Sequence, residues 1–123
     1  ETRELIFDTI ELTRNLKCKD INAFTFTPYH GTALRDICER KNYIDKESLS
    51  YIFATDSMLT MPTISKEEIR GLIKTFVLYA RMPRSYWKEI KIAESETDEG
   101  VKKYNELMNL YRKEFLQDYL PKD

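Results

Sequence analysis

The only histidine of the chain lies in a short run whose residue types could form a ligand-binding turn. The run reads Thr27-Pro28-Tyr29-His30-Gly31-Thr32. Pro28 has no backbone N–H and therefore ends strand pairing, whereas Gly31 permits a sharp turn or a close approach to a ligand. Histidine titrates near neutral pH, and Thr32 can cap a helix whose first amides attract anions. These residue types also occur in ordinary turns, so a purely structural role stays open.

The turn is flanked by a predicted strand and a predicted helix. Residues 21–27 alternate Phe24 and Phe26 with small and hydroxyl residues, which predicts a strand. We expect its bulky face to pack beneath helices and its small face to line a cavity, and a plain edge strand is the alternative. Thr32 predicts the N-cap of a helix over 33–40. A strand-to-helix turn is where open α/β sheets and α/β barrels bind ligands.

The rest of the chain has helical patterns. Apolar residues at steps of three and four predict further helices over 2–16, 45–53, 65–82, 85–93 and 97–119. Ser65 and Glu68 form a capping box, and Asp45 is a candidate N-cap. The predicted fold class is therefore mainly α with one principal strand. A lone strand cannot satisfy its own edges, so we expect the chain to be a piece of a larger enzyme.

The order helix, strand, turn, helix resembles the end of the barrel in radical SAM enzymes, above all those fused to a cobalamin-binding domain. Thr27-Pro28-Tyr29-His30-Gly31-Thr32-Ala33-Leu34 resembles the sixth-strand motif of that family, which often reads Pro-Tyr-Pro-Gly-Thr-x-Leu. Glu1-Thr2-Arg3-Glu4 resembles the Pro-Gly-Glu-Thr segment that opens the fifth helix. The match covers residues 1–44. His30 stands where the family usually has proline, as a neutral replacement or as a group that addresses substrate.

The resemblance implies that residues 1–44 are the last helix-strand-helix portion of a truncated radical SAM α/β barrel and 45–123 a helical C-terminal extension. The parent enzyme would bind a 4Fe–4S cluster and S-adenosylmethionine (SAM), with cobalamin in the fused type. It would cleave SAM reductively for oxidoreductase or methyltransferase chemistry on a small-molecule substrate. Thr27, Pro28, Tyr29, His30, Gly31 and Thr32 would form a turn beside SAM or substrate. Which residues are catalytic stays open.

The cysteine content of the chain limits the activity that we expect from it in isolation. The C-x-x-x-C-x-x-C motif that ligates the cluster in the family is absent, and Cys18 and Cys38 do not replace it. We therefore expect the chain alone to hold no cofactor or metal and to be inactive. Both cysteines are interpreted as reduced thiols, which predicts a cytoplasmic location. As partners we expect the missing N-terminal part of its own chain and a second copy of itself.

Two alternatives use other parts of the chain. Tyr79, Tyr86, Trp87 and the final helix could form a helical protein–protein interaction module. The same aromatics lie near Arg81 and Arg84, a combination that can stack on nucleic acid. The formal net charge is −1, which disfavours nucleic acid and anionic membranes as partners. There is no apolar run long enough to span a bilayer.

Overall fold

The longest helix, α3, lies at the centre of the molecule. The computed structural model describes residues 1–50, 56–117 and 119–123. The described residues form five α-helices: α1 (Arg3–Arg14), α2 (Ala33–Arg40), α3 (Lys66–Arg81), α4 (Trp87–Ala93) and α5 (Asp98–Leu110). A 3₁₀ turn precedes α4 and a π-helical turn over Tyr111–Phe115 follows α5. No helix in this part of the chain is long and apolar enough to cross a membrane.

Hydroxyl side chains cap four of the helices. The caps of α1, α2, α3 and α5 each accept a hydrogen bond from the backbone three residues later; they are Thr2, Thr32, Ser65 and Thr97. Each of these starts lies where the sequence predicts it. The capping box is only half formed, because the Glu68 carboxylate pairs with Arg3 at 3.2 Å. Helix α3 ends just before Pro83, as predicted.

The main core joins α1 with the three C-terminal helices. Helix α1 packs on α3, and α4 and α5 pack on each other and on α3. The buried apolar side chains of this core are Ile10, Ile64, Leu72, Phe76, Leu78, Tyr79, Met82, Ile90, Ala93 and Leu107. A smaller cluster of Cys38, Ile44 and Leu59 packs helix α2 onto the segments that follow it. The helical part of the chain therefore carries its own core.

The predicted strand over 21–27 is not formed. Within the described residues the β-pairing is a single bridge between Met61 and Ile64. A strand exists only through hydrogen bonds to a neighbouring strand, and no such neighbour lies beside 21–27 in this part of the chain. The bulky face is also not packed as expected. Ala23 packs against the core, whereas Phe24 is 78% exposed.

Two predicted helix boundaries are wrong. The final helix was expected to reach Tyr119, but its α-helical part ends at Leu110 and one π-helical turn follows. Asp45 does not begin a helix within the described residues. Its carboxylate accepts from the Glu47 amide at 2.9 Å and closes a turn, which is the usual competing role of aspartate. The remainder of the helix predicted over 45–53 lies partly outside the described residues.

Candidate functional site

The turn before α2 is closed by its own threonine. Thr32 Oγ1 accepts from the Arg35 amide at 3.3 Å and donates to the Tyr29 carbonyl at 2.7 Å. Gly31 has a φ of +79°, and a Cβ placed there would have no atom within 4 Å. Glycine is therefore required at this position for the backbone conformation and not for space.

A buried arginine, Arg35, also holds this turn in place through hydrogen bonds. The Arg35 side chain is 1% exposed. Its Nη1 donates to the Pro28 carbonyl at 3.3 Å, and its Nε donates to the Glu39 carboxylate at 2.5 Å. Ser50 Oγ donates to the same Pro28 carbonyl at 2.5 Å. Pro28 is thus held by two donors from the chain that follows it.

The six predicted site residues differ in accessibility. Pro28 is buried and Thr27 is half-buried, whereas Tyr29, His30, Gly31 and Thr32 are exposed. The structure therefore brings four of them together at the surface, at the N-terminus of α2. Backbone amides and the imidazole at such a position can bind a polar ligand.

An apolar groove lies beside the turn but does not include it. The groove has a volume of about 500 Å³ and runs between α1, α3 and the segment that was predicted as a strand. Its lining includes Ile6, Ala23, Phe24, Phe26, Met61 and Phe76. Ala23 thus lines a cavity, as expected for the small face, but the two phenylalanines line it as well. The expected division between a packing face and a cavity face does not hold in this chain.

The two cysteines do not form a joint site. Cys38 is buried in the small cluster, and Cys18 lies 3.3 Å from Arg81 Nη2 through its Sγ. Among the described residues no three His, Cys, Asp or Glu side chains are grouped so that they could hold a metal ion. These residues therefore do not fit a 4Fe–4S cluster.

A partly buried ion pair that sequence patterns do not reveal joins three helices. Arg3 donates to both oxygens of Glu94, at 2.6 and 2.9 Å, and Tyr79 Oη donates to Glu94 Oε1 at 2.6 Å. Burial alone would raise the pKa of Glu94, but hydrogen bonds from Arg3, Tyr79 and Lys91 outweigh it and hold that pKa below 4.5. Burial and the bond to Glu94 raise the pKa of Tyr79.

The aromatic residues considered for a partner surface belong mainly to the core. Tyr79 is buried, and its ring contacts Phe7 and Trp87 edge to face at 5.0 and 5.5 Å. Arg14 and Arg84 lie over the Trp87 ring at 5.5 and 5.6 Å. Their approach is a cation–π contact within the fold. The Trp87 ring is therefore engaged by contacts within the fold.

Comparison of the chain with protein-family models, with curated proteins and with solved structures yields no match.

Proposed function

We propose that the chain is the C-terminal part of a radical SAM enzyme. In this proposal residues 1–44 complete the last helix-strand-helix unit of the barrel, and 45–123 form a helical extension. The observation that carries the proposal is the exposed apolar surface of residues 1–50. Leu12 on α1 is 64% exposed, and Leu34 on α2 is 55% exposed. Phe24, in the segment between these helices, is 78% exposed. Several large apolar side chains exposed within one part of a chain favour an interface there.

The segment 21–27 supports the same proposal. Its side chains alternate between half-buried and exposed at every residue, which is the period of a β-strand. The segment thus keeps the side-chain pattern of a strand without a neighbouring strand in the described part of the chain. Strands supplied by the rest of a barrel would pair with it, and helices of the barrel would cover Phe24 and Phe26. In their absence we expect two copies of this chain to associate through these side chains.

The exposed turn is the part of this chain that would meet the ligand. In the parent enzyme the Tyr29–Gly31 backbone and the His30 ring would lie beside SAM or a small-molecule substrate. A 4Fe–4S cluster in the parent would supply the electron that cleaves SAM to a 5′-deoxyadenosyl radical. Because Cys18 and Cys38 do not fit that cluster, its ligands would come from the upstream sequence. Cobalamin is a further cofactor in the proposal if the parent is of the fused type.

Both cysteines are free thiols, which is the usual state in a reducing compartment. We therefore place the parent enzyme in the cytoplasm. The proposal covers oxidoreductase and methyltransferase chemistry, because no described residue distinguishes them.

The test is to read the gene upstream of Glu1 and to purify the full-length protein without oxygen. The proposal expects a C-x-x-x-C-x-x-C motif, the visible absorption of a 4Fe–4S cluster, and 5′-deoxyadenosine after addition of SAM and a reductant. Replacing the three cysteines of that motif is the matched control and should abolish both signals. A full-length protein with neither motif nor cluster would contradict the proposal. The alternative, a stand-alone helical module that binds another protein through the exposed apolar surface, would then be favoured.

A further inference from the structure

Arg35 connects the candidate turn to the loop that follows α2. Its Nη2 donates to the carbonyl oxygens of Asp45, Lys46 and Ser48 at 3.2, 3.1 and 2.9 Å. Its Nη1 donates to the Pro28 carbonyl on the other side. A buried guanidinium is costly unless its donors are satisfied. Here the donors are satisfied mostly by main-chain carbonyls, so the side chain fixes two pieces of backbone relative to each other.

The same loop also binds the only histidine. His30 Nε2 lies 3.1 Å from the Ser48 carbonyl oxygen. A carbonyl oxygen can only accept, so Nε2 carries the proton and Nδ1 is the acceptor nitrogen of the neutral ring. Arg35 and His30 therefore share one acceptor.

We propose that Arg35 is a positioning residue for the candidate ligand-binding turn. It holds the Pro28 and Ser48 carbonyls in place and thereby keeps His30 Nδ1 as the nitrogen that can accept a hydrogen bond from a ligand. The ligand part of this inference rests on the proposed function, whereas the positioning part rests on contacts within this chain. Lysine at this position keeps the charge but lacks the planar set of five donors. It would satisfy fewer of the surrounding carbonyls.

The first experiment uses this chain and the variant Arg35→Lys, with Arg40→Lys as the matched control. Arg40 is exposed on the same helix and bonds only to the Asp36 carbonyl among the contacts described. Nitrogen-15 spectra report the tautomer of His30, and hydrogen exchange reports the Thr32 and Ser48 amides. We expect the Nε2–H tautomer in the wild type and in Arg40→Lys. In Arg35→Lys we expect mixed tautomers and about tenfold faster exchange at the two amides, with α3 unchanged.

Two results would overturn the positioning role. One is a folded Arg35→Lys variant with the wild-type His30 tautomer and wild-type exchange. The other is faster exchange throughout α3, which would give Arg35 a general role in stability. Ser50→Ala provides a second check, because Ser50 holds Pro28 and accepts from Arg35 Nη1 at 3.5 Å, whereas the Ser48 carbonyl is bound by Arg35 Nη2. It should keep the His30 tautomer, and a mixed tautomer there would contradict the specific role of Arg35.

The second experiment uses the full-length protein and SAM as the probe. We expect Arg35→Lys to weaken SAM binding by about tenfold, which corresponds to about 1.4 kcal/mol. Unchanged SAM binding, with the exchange at Thr32 altered, would overturn the link from Arg35 to the ligand. A wild-type protein that binds no SAM would contradict the proposed function. The tautomer result would still decide the positioning role, so the two failures are distinguishable.

Discussion

Residues 1–50 and residues 64–115 bury their large apolar side chains to very different extents. In the second region Leu72, Leu78 and Ile90 are almost completely buried, whereas Leu12 and Phe24 in the first region are mostly exposed. Both regions contain capped helices with apolar stripes, so residue type does not explain the difference. The second region packs helix on helix, whereas the first contributes Ile10 to the main core and is otherwise held by a small apolar cluster and by buried arginines. A region organised in this way has apolar surface left for a partner.

The arginines show how the first region is attached. Arg14 on α1 donates to the Tyr79 and Met82 carbonyls at the end of α3, at 2.6 and 2.8 Å. Arg81 reaches in the other direction and donates to the Cys18 carbonyl at 2.6 Å. Carbonyls at the C-terminal end of a helix lack intrahelical partners, and Arg14 satisfies two of them on α3. The two arginines therefore add polar contacts between the regions to the apolar contact that Ile10 makes in the main core.

The same substitution in the two regions should change the free energy of unfolding by very different amounts. Leu78→Ala removes a side chain that is 0% exposed and leaves a cavity, which should lower the free energy of unfolding by about 3 kcal/mol. Leu12→Ala, its matched control at 64% exposure, should change that free energy by less than about 0.5 kcal/mol. Urea unfolding measures both values. Equal losses would contradict the contrast between a closed core and an exposed surface.

The ion pair between α1 and the end of α4 should give stability a dependence on pH. The pKa of Glu94 is below 4.5 in the fold, so its contribution is complete above that value and is lost as the pH falls through the lowered pKa. The pKa of Tyr79 is raised above 10.0, so its contribution is lost as the pH rises past 10.0. Glu94→Gln should reduce the loss of unfolding free energy at acid pH. Tyr79→Phe should reduce the loss at alkaline pH. Glu99→Gln, at an exposed position, is the control. If the pH dependence at acid or alkaline pH persists in the variant expected to remove it, the substituted residue is not its cause.

Two glycines, one in each region, are required for different reasons: Gly71 because a Cβ would collide with a neighbour, and Gly31 because of its positive φ. A Cβ at Gly71 would lie 2.8 Å from the Glu94 carbonyl oxygen, so Gly71→Ala should cost about 2 kcal/mol through a forced shift of α4 against α3. Gly31→Val should cost about 1 kcal/mol because of its positive φ. Gly31→Asn should cost less, since asparagine tolerates that conformation. Thermal unfolding ranks the three variants. A Gly31→Asn cost equal to that of Gly31→Val would exclude conformation as the reason.

The features that the sequence predicts well are local ones. Thr32 and Ser65 cap their helices because a cap needs only a hydroxyl group and the three following residues. The strand over 21–27 fails because a strand needs a paired neighbour, which its own side-chain pattern cannot supply and which is absent from the described residues. Of the candidate site, the turn and its glycine were predictable. Arg35 was not, because arginine is rarely buried and its partners lie up to fifteen residues away in a loop without a periodic pattern.

Hydrogen exchange at residues 21–27 tests the central claim most directly, since it compares this chain with the full-length protein. In this chain the Phe24 and Phe26 amides should exchange quickly, because no strand lies beside them within the described residues. In the full-length protein neighbouring strands should slow both amides by about 100-fold, as expected for a paired strand. The amides of α3 should exchange at the same rate in both proteins. Equal rates at Phe24 and Phe26 in the two proteins would contradict the claim that residues 1–50 are covered by the rest of a barrel.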